Sequence, residues 1–140
     1  PKYDIPRSVH RLVESGLLRI EKRKGEEALC LTEKGEKFLS RFSHDELILK
    51  SPKVWDKKWR VVIYDIPEDR KSLRMELKRV LEGLGFVMVQ KSVWVHAYPC
   101  EDLLLLLKAE FRLGKEVLYL VVDRMENDTW IRKHFKLPEE

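Results

Sequence analysis

The order of short apolar runs and helix-period stripes over residues 59–122 restricts the fold more than any other feature of this sequence. Arg60-Val61-Val62-Ile63-Tyr64-Asp65-Ile66 is a nearly continuous apolar run, β-branched in character and stopped by Pro67. Glu68-Asp69 opens a helix in which Leu73, Leu77, Val80, Leu81 and Leu84 share one stripe, and Gly85 ends it. Residues 86–89 and 92–98 read as two strands joined tightly at Gln90-Lys91. Pro99 breaks the second strand, Glu101-Asp102 starts another helix, and residues 117–122 form a last strand. The unit is β-α-β-β-α-β, the split arrangement of a ferredoxin-like fold.

Helices on one face of such a sheet should leave its strands alternating apolar and polar. Here Val61 and Ile63 are apolar on one side of the first strand, and Val62 and Tyr64 on the other. Residues 117–122 repeat this. The face without helices therefore needs a cover: a second copy, the preceding segment, or the tail with Trp130 and Phe135. The five leucines at 103–107 pose the same question, since a run of that length exceeds one helical stripe.

Residues 1–42 read as helix, hairpin, helix. Asp4 or a neighbour caps the first helix, with Pro6 in its first turn; Val9, Leu12 and Val13 recur at helical spacing, and Gly16 stops it. Two strands follow around a turn at Gly25-Glu26, and Thr32 caps a helix through Phe42. Residues 43–58 are read as a linker whose apolar side chains dock on either side. Residues 59–124 are the ferredoxin-like domain, and 125–140 a terminal helix or arm. Charge separates the parts: residues 1–58 hold 14 Lys/Arg against 10 Asp/Glu, and residues 59–140 hold 14 against 14. The whole excess of +4 lies in the first part, the natural candidate for a polyanion partner.

The stretch "HRLVESGLLRIEKRKGEEALCLTEKGEKFL" resembles the back half of a winged helix-turn-helix. That resemblance implies a helix presenting Arg7, Ser8, His10 and Arg11 to a major groove, and a wing whose Lys22, Arg23 and Lys24 track phosphates. The sequence as given begins at this helix, so a partial module is expected. In the second half, Tyr64-Asp65-Ile66, Arg70-Lys71, Gly85 and Gln90-Lys91-Ser92-Val93-Trp94 together resemble the CRISPR-associated adaptation endonucleases of the Cas-two family. With the winged-helix portion in front, the chain is similar to PaaX-type transcriptional regulators, in which a winged helix precedes a Cas-two-like domain. The fold class expected is α+β, a partial winged helix-turn-helix followed by the ferredoxin-like unit.

Asp65 is the residue the resemblance assigns to metal-dependent catalysis, with Mg²⁺ shared across a dimer. The residues themselves leave another role open, a cap for the turn ahead of Pro67. Gln90, Ser92 and Trp94 would lie near the dimer seam or that metal, or serve the hairpin and core. Arg70, Lys71 and Arg74 begin a helix, where cations oppose the macrodipole, so phosphate contact is a reason for them to be there. His10, His44, His96 and His134 show no metal-ligand spacing, and no Gly-rich phosphate loop or Ser/His/Asp order occurs.

Cys30 and Cys100 are too few for a disulfide framework and read as reduced thiols of a cytoplasmic protein. No apolar run suits a membrane span, and Pro1-Lys2-Tyr3-Asp4 does not read as a secretory leader. Two functions stay open. One is a homodimeric regulator that binds double-stranded DNA and is not an enzyme. The other is an adaptation protein, partner of the spacer integrase or a Mg²⁺-dependent endonuclease on DNA or RNA.

Overall fold

The computed structural model describes residues 4–42 and 54–138. The chain is α+β and divides into two compact units. The first joins α1 (Asp4–Glu14), β1 (Leu18–Arg23), β2 (Glu26–Leu31), α2 (Glu33–Phe42) and α4 (Glu101–Glu110). The second holds β3 (Trp59–Tyr64), a 3-10 turn (Glu68–Arg70), α3 (Lys71–Gly83), β4 (Val87–Gln90), β5 (Val93–His96), β6 (Val117–Val122) and α5 (Thr129–His134). No helix among the described residues is long and apolar enough to cross a membrane.

In the first unit β1 and β2 pair antiparallel from Leu18↔Leu31 to Arg23↔Glu26. The two residues between the strands are Lys24 and Gly25, at φ 52° and 79°. Positive φ at both positions is the signature of a type I′ turn, whose twist matches the strands. The turn therefore falls one residue before the expected Gly25-Glu26. Gly16, at φ 82°, closes α1: its N–H bonds to Val13 O and that of Leu17 to Leu12 O, the Schellman pattern. Thr32 caps α2 as expected, its hydroxyl accepting from Gly35 N–H at 3.0 Å and donating to Gly16 O at 2.6 Å.

The helix α4 packs against α1, β2 and α2. It lies within the 59–124 span read from sequence as one domain, but its contacts group it with residues upstream. All five leucines at 103–107, with Ala109, are buried. A helix can be apolar around its whole circumference when neighbours enclose it, which the one-stripe expectation left out.

In the second unit the strand order is β4-β5-β3-β6, antiparallel throughout, compatible with the ferredoxin-like arrangement. Trp59, Val61, Val95 and Ala97 project to one side and build a core with Ile131 of α5. Trp55, Phe135 and Leu137 pack around it. The tail is thus a cover for this face, through Ile131 and Phe135. These are four residues apart and share a helical side, whereas Trp130, one position back, is 49% exposed. The β4–β5 turn is Lys91-Ser92, one residue after the expected Gln90-Lys91, and Ser92 takes φ 61°.

Candidate nucleic-acid interface

The hairpin tip brings Lys22, Lys24 and Arg23 together at exposed positions. Acidic neighbours temper them: Lys22 sits opposite Glu27 in register, and Arg23 opposite Glu26. Arg23 also donates to Glu21 at 3.3 Å, and Arg19 to the same carboxylate at 2.7 Å. Hydrogen bonds from Arg19, then Cys30 and Arg23, hold the Glu21 carboxyl down at about 2. The freest cations of the tip are therefore Lys22 and Lys24, which enter no ion pair among the described residues. Sequence reading counted the basic triplet and left out the acids that pairing sets across from it.

On α1, Arg7 and His10 are exposed, and His10 meets Glu14 one turn on at 3.0 Å. Arg11 bonds to Asp102 of α4 at 2.5 Å and to the Ser8 hydroxyl at 3.2 Å. Ser8 is 3% exposed. The helix thus divides: Ser8 faces the packing, Arg11 ties α1 to α4, and Arg7 with His10 remain on the outer side.

In the second unit, Asp65 follows β3 and is exposed, making no side-chain hydrogen bond among the described residues. The 3-10 turn is preceded by Pro67 with no side-chain cap, so the capping role expected of Asp65 is not made. Pro67, at φ −56°, supplies the helix-compatible torsion itself. Tyr64 N–H donates to Ser92 O at 3.1 Å, which brings Asp65 and Ser92 to one end of the sheet. Gln90 is exposed at the end of β4. Trp94 is 2% exposed and donates from Nε1 to the Tyr64 hydroxyl at 3.0 Å, a core role. Arg74 forks onto Glu68 at 3.3 and 3.4 Å, and Lys71 is exposed beside Arg70 at the start of α3. A hard dication wants about six oxygen ligands. No group of three acids, histidines or cysteines that could hold a metal ion occurs among the described residues.

Two polar groups escaped sequence reading because burial, not spacing, defines them. Arg60 is 4% exposed and binds both oxygens of Asp56, at 2.8 and 2.5 Å, with further bonds to Lys58 O and Ala97 O. His96 is 3% exposed: Tyr98 N–H donates to its Nδ1 at 3.1 Å, so the neutral ring presents Nε2–H to Leu84 O at 3.2 Å.

The architecture is that of a two-unit α+β protein with a split β-α-β antiparallel sheet and a charged hairpin on the other unit. Residues 52–134 match the family described as PaaX protein central Cas2-like domain, and the chain belongs to it. No curated protein matches the chain.

Proposed function

We propose that this chain is the DNA-contacting and self-associating part of a PaaX-type transcriptional regulator. The observation that carries the reading is its membership of the PaaX central-domain family over residues 52–134. In this reading the unit of α1, β1, β2 and α2 is the back half of a winged helix. The β1–β2 hairpin is the wing, its Lys22 and Lys24 lying along a phosphate backbone of duplex DNA, with Arg7 and His10 on the groove side of α1. Most of the affinity is then phosphate-derived and steeply salt-dependent.

Self-association belongs to the second unit. With α5 over one part of the sheet, three of the exposed apolar side chains lie on the edge strand β6, where Leu118, Leu120 and Val121 are 57, 38 and 46% exposed. An uncharged apolar edge of this kind invites pairing, and a two-fold contact closes it. The test is titration of labelled duplex with the protein at several salt concentrations, alongside light scattering. Salt-independent or undetectable duplex binding contradicts the regulator reading.

Cleavage at Asp65 is the other reading, favoured by its exposed, uncapped carboxylate. One carboxylate from each subunit would leave most of a hard cation's shell to water, so the expected result is no cleavage of DNA or RNA in Mg²⁺ or Mn²⁺. Cleavage that vanishes in Asp65→Asn, with the melting temperature unchanged, reverses that conclusion.

A further inference from the structure

A cleft of about 610 Å³ opens in the second unit, at the opposite end of β3 from Asp65. It is lined by Asp56, Lys57, Lys58, Asp123, Arg124, Met125, Asp128 and Arg132. The pairing of Trp59 with Val122 sets its position, bringing the chain entering β3 beside the chain leaving β6. Its volume lies in the range of small-molecule sites, roughly 300–1,000 Å³, but its lining is almost wholly charged.

The charges are not evenly matched. Asp56 is held by Arg60, and the Arg60 guanidinium, ahead of other causes, keeps its carboxyl below the usual range. Asp128 accepts from Arg132 at 3.1 Å and from Trp59 Nε1 at 3.3 Å. Arg132 in turn lies 5.0 Å over the Trp55 ring and donates to Pro138 O, which fixes this wall. Against these engaged groups, Lys57, Lys58 and Arg124 enter no ion pair among the described residues, although Lys58 also helps to lower the Asp56 pKa, and Asp123 is a lining carboxylate outside any ion pair among them.

We propose that this cleft binds a compact phosphate-bearing small molecule, its phosphate oxygens gathered by Lys57, Lys58 and Arg124. Three cations on two neighbouring loops suit the spread oxygens of a phosphate ester or diphosphate, and charge-assisted bonds of this kind are the strong ones. An extended nucleic acid is the poorer fit. Its backbone is a long convex polyanion, which a concave cleft of this size admits less readily than a compact phosphate group. The inference is independent of duplex binding by the hairpin.

The experiment is calorimetric titration of the full chain with pyrophosphate and with inorganic phosphate, using sulfate at matched ionic strength as control. Saturable binding of pyrophosphate is expected, weakened about tenfold by Lys57→Ala or Arg124→Ala. Asp123→Asn removes an opposing charge that no ion pair engages among the described residues and is expected to tighten binding several-fold. Lys22→Ala/Lys24→Ala, on the hairpin of the other unit, should leave it unchanged. All five substituted positions are exposed, and unchanged melting temperatures establish that the variants are folded. No saturation by pyrophosphate, equal loss in the hairpin variant, or weaker binding in Asp123→Asn each overturns the proposal. So does a loss of duplex affinity in Lys57→Ala as large as its loss of pyrophosphate affinity, since the cations would then serve nucleic acid.

Discussion

In its neutral form the His96 ring uses both nitrogens, accepting from Tyr98 N–H and donating to Leu84 O. Burial depresses its pKa to about 4, with Arg60 and His134 adding repulsion and the Leu84 carbonyl opposing them. Protonation would turn Nδ1 into a donor facing the Tyr98 N–H. The unfolded chain takes up this proton near pH 6.5 and the folded chain only near 4. The stabilisation is thus complete above the unfolded value and falls away as pH drops through that window. Denaturant melts should show a loss of about 2 kcal/mol between pH 7 and pH 5 that His96→Gln lacks. A neighbouring position depends on the same ring. Gly85 is at φ 94°, and a Cβ there would lie 3.3 Å from His96 Nε2. Gly85→Ala is expected to cost about 1–2 kcal/mol through the left-handed torsion alone, measured by the same melts.

Gly35 shows how one residue positions an element. A Cβ on it would lie 2.3 Å from Leu17 O and 2.7 Å from Leu31 Cδ1, so α2 sits directly on the backbone where α1 gives way to β1. Gly35→Ala should lower stability by about 3 kcal/mol or more, because a backbone oxygen cannot yield as a side-chain tip can. Thermal unfolding checks it; a change below about 1 kcal/mol would mean α2 is free to shift. The succession of elements was legible in the sequence, since Gly16, Gly85, Pro67 and Pro99 punctuate it and periodicity does the rest. Both hairpin turns lie one residue from the expected place, the first earlier and the second later. The left-handed positions there include Lys24 and Ser92, which carry no compositional flag for positive φ. Helix α4 was legible as a helix but not in its company, because the pattern of 103–107 reports burial without naming the neighbour. Of the candidate site, exposure of the tip lysines could be anticipated. The engagement of Arg11 by Asp102 could not, since 91 residues separate them.

At the scale of the whole molecule the net charge of +4 understates how the cations are used. Many are answered by a nearby carboxylate, as in Arg19–Glu21, Arg74–Glu68 and Arg132–Asp128. Among those in no ion pair within the described residues are Lys22 and Lys24 at the hairpin tip and Lys57, Lys58 and Arg124 around the cleft. Of the exposed apolar side chains, Leu118, Leu120 and Val121 lie together on β6. If β6 is the seam between two copies, Leu118→Lys/Leu120→Lys should convert a dimer to a monomer in light scattering while the melting curve stays cooperative. A stable dimer would be expected to bury about 1,600 Å² in total. A wild-type monomer at micromolar concentration would leave β6 without that role.

The central claim, that the hairpin meets the phosphates of duplex DNA, is tested most directly by the slope of log affinity against log salt. Each phosphate that the protein no longer neutralises should flatten that slope by about 0.9. Because Arg23 is already shared with Glu21, replacing Lys22, Arg23 and Lys24 together by alanine should flatten it by about two units rather than three. A slope that is the same in wild type and the triple variant would contradict the account, because the hairpin would then not be touching DNA.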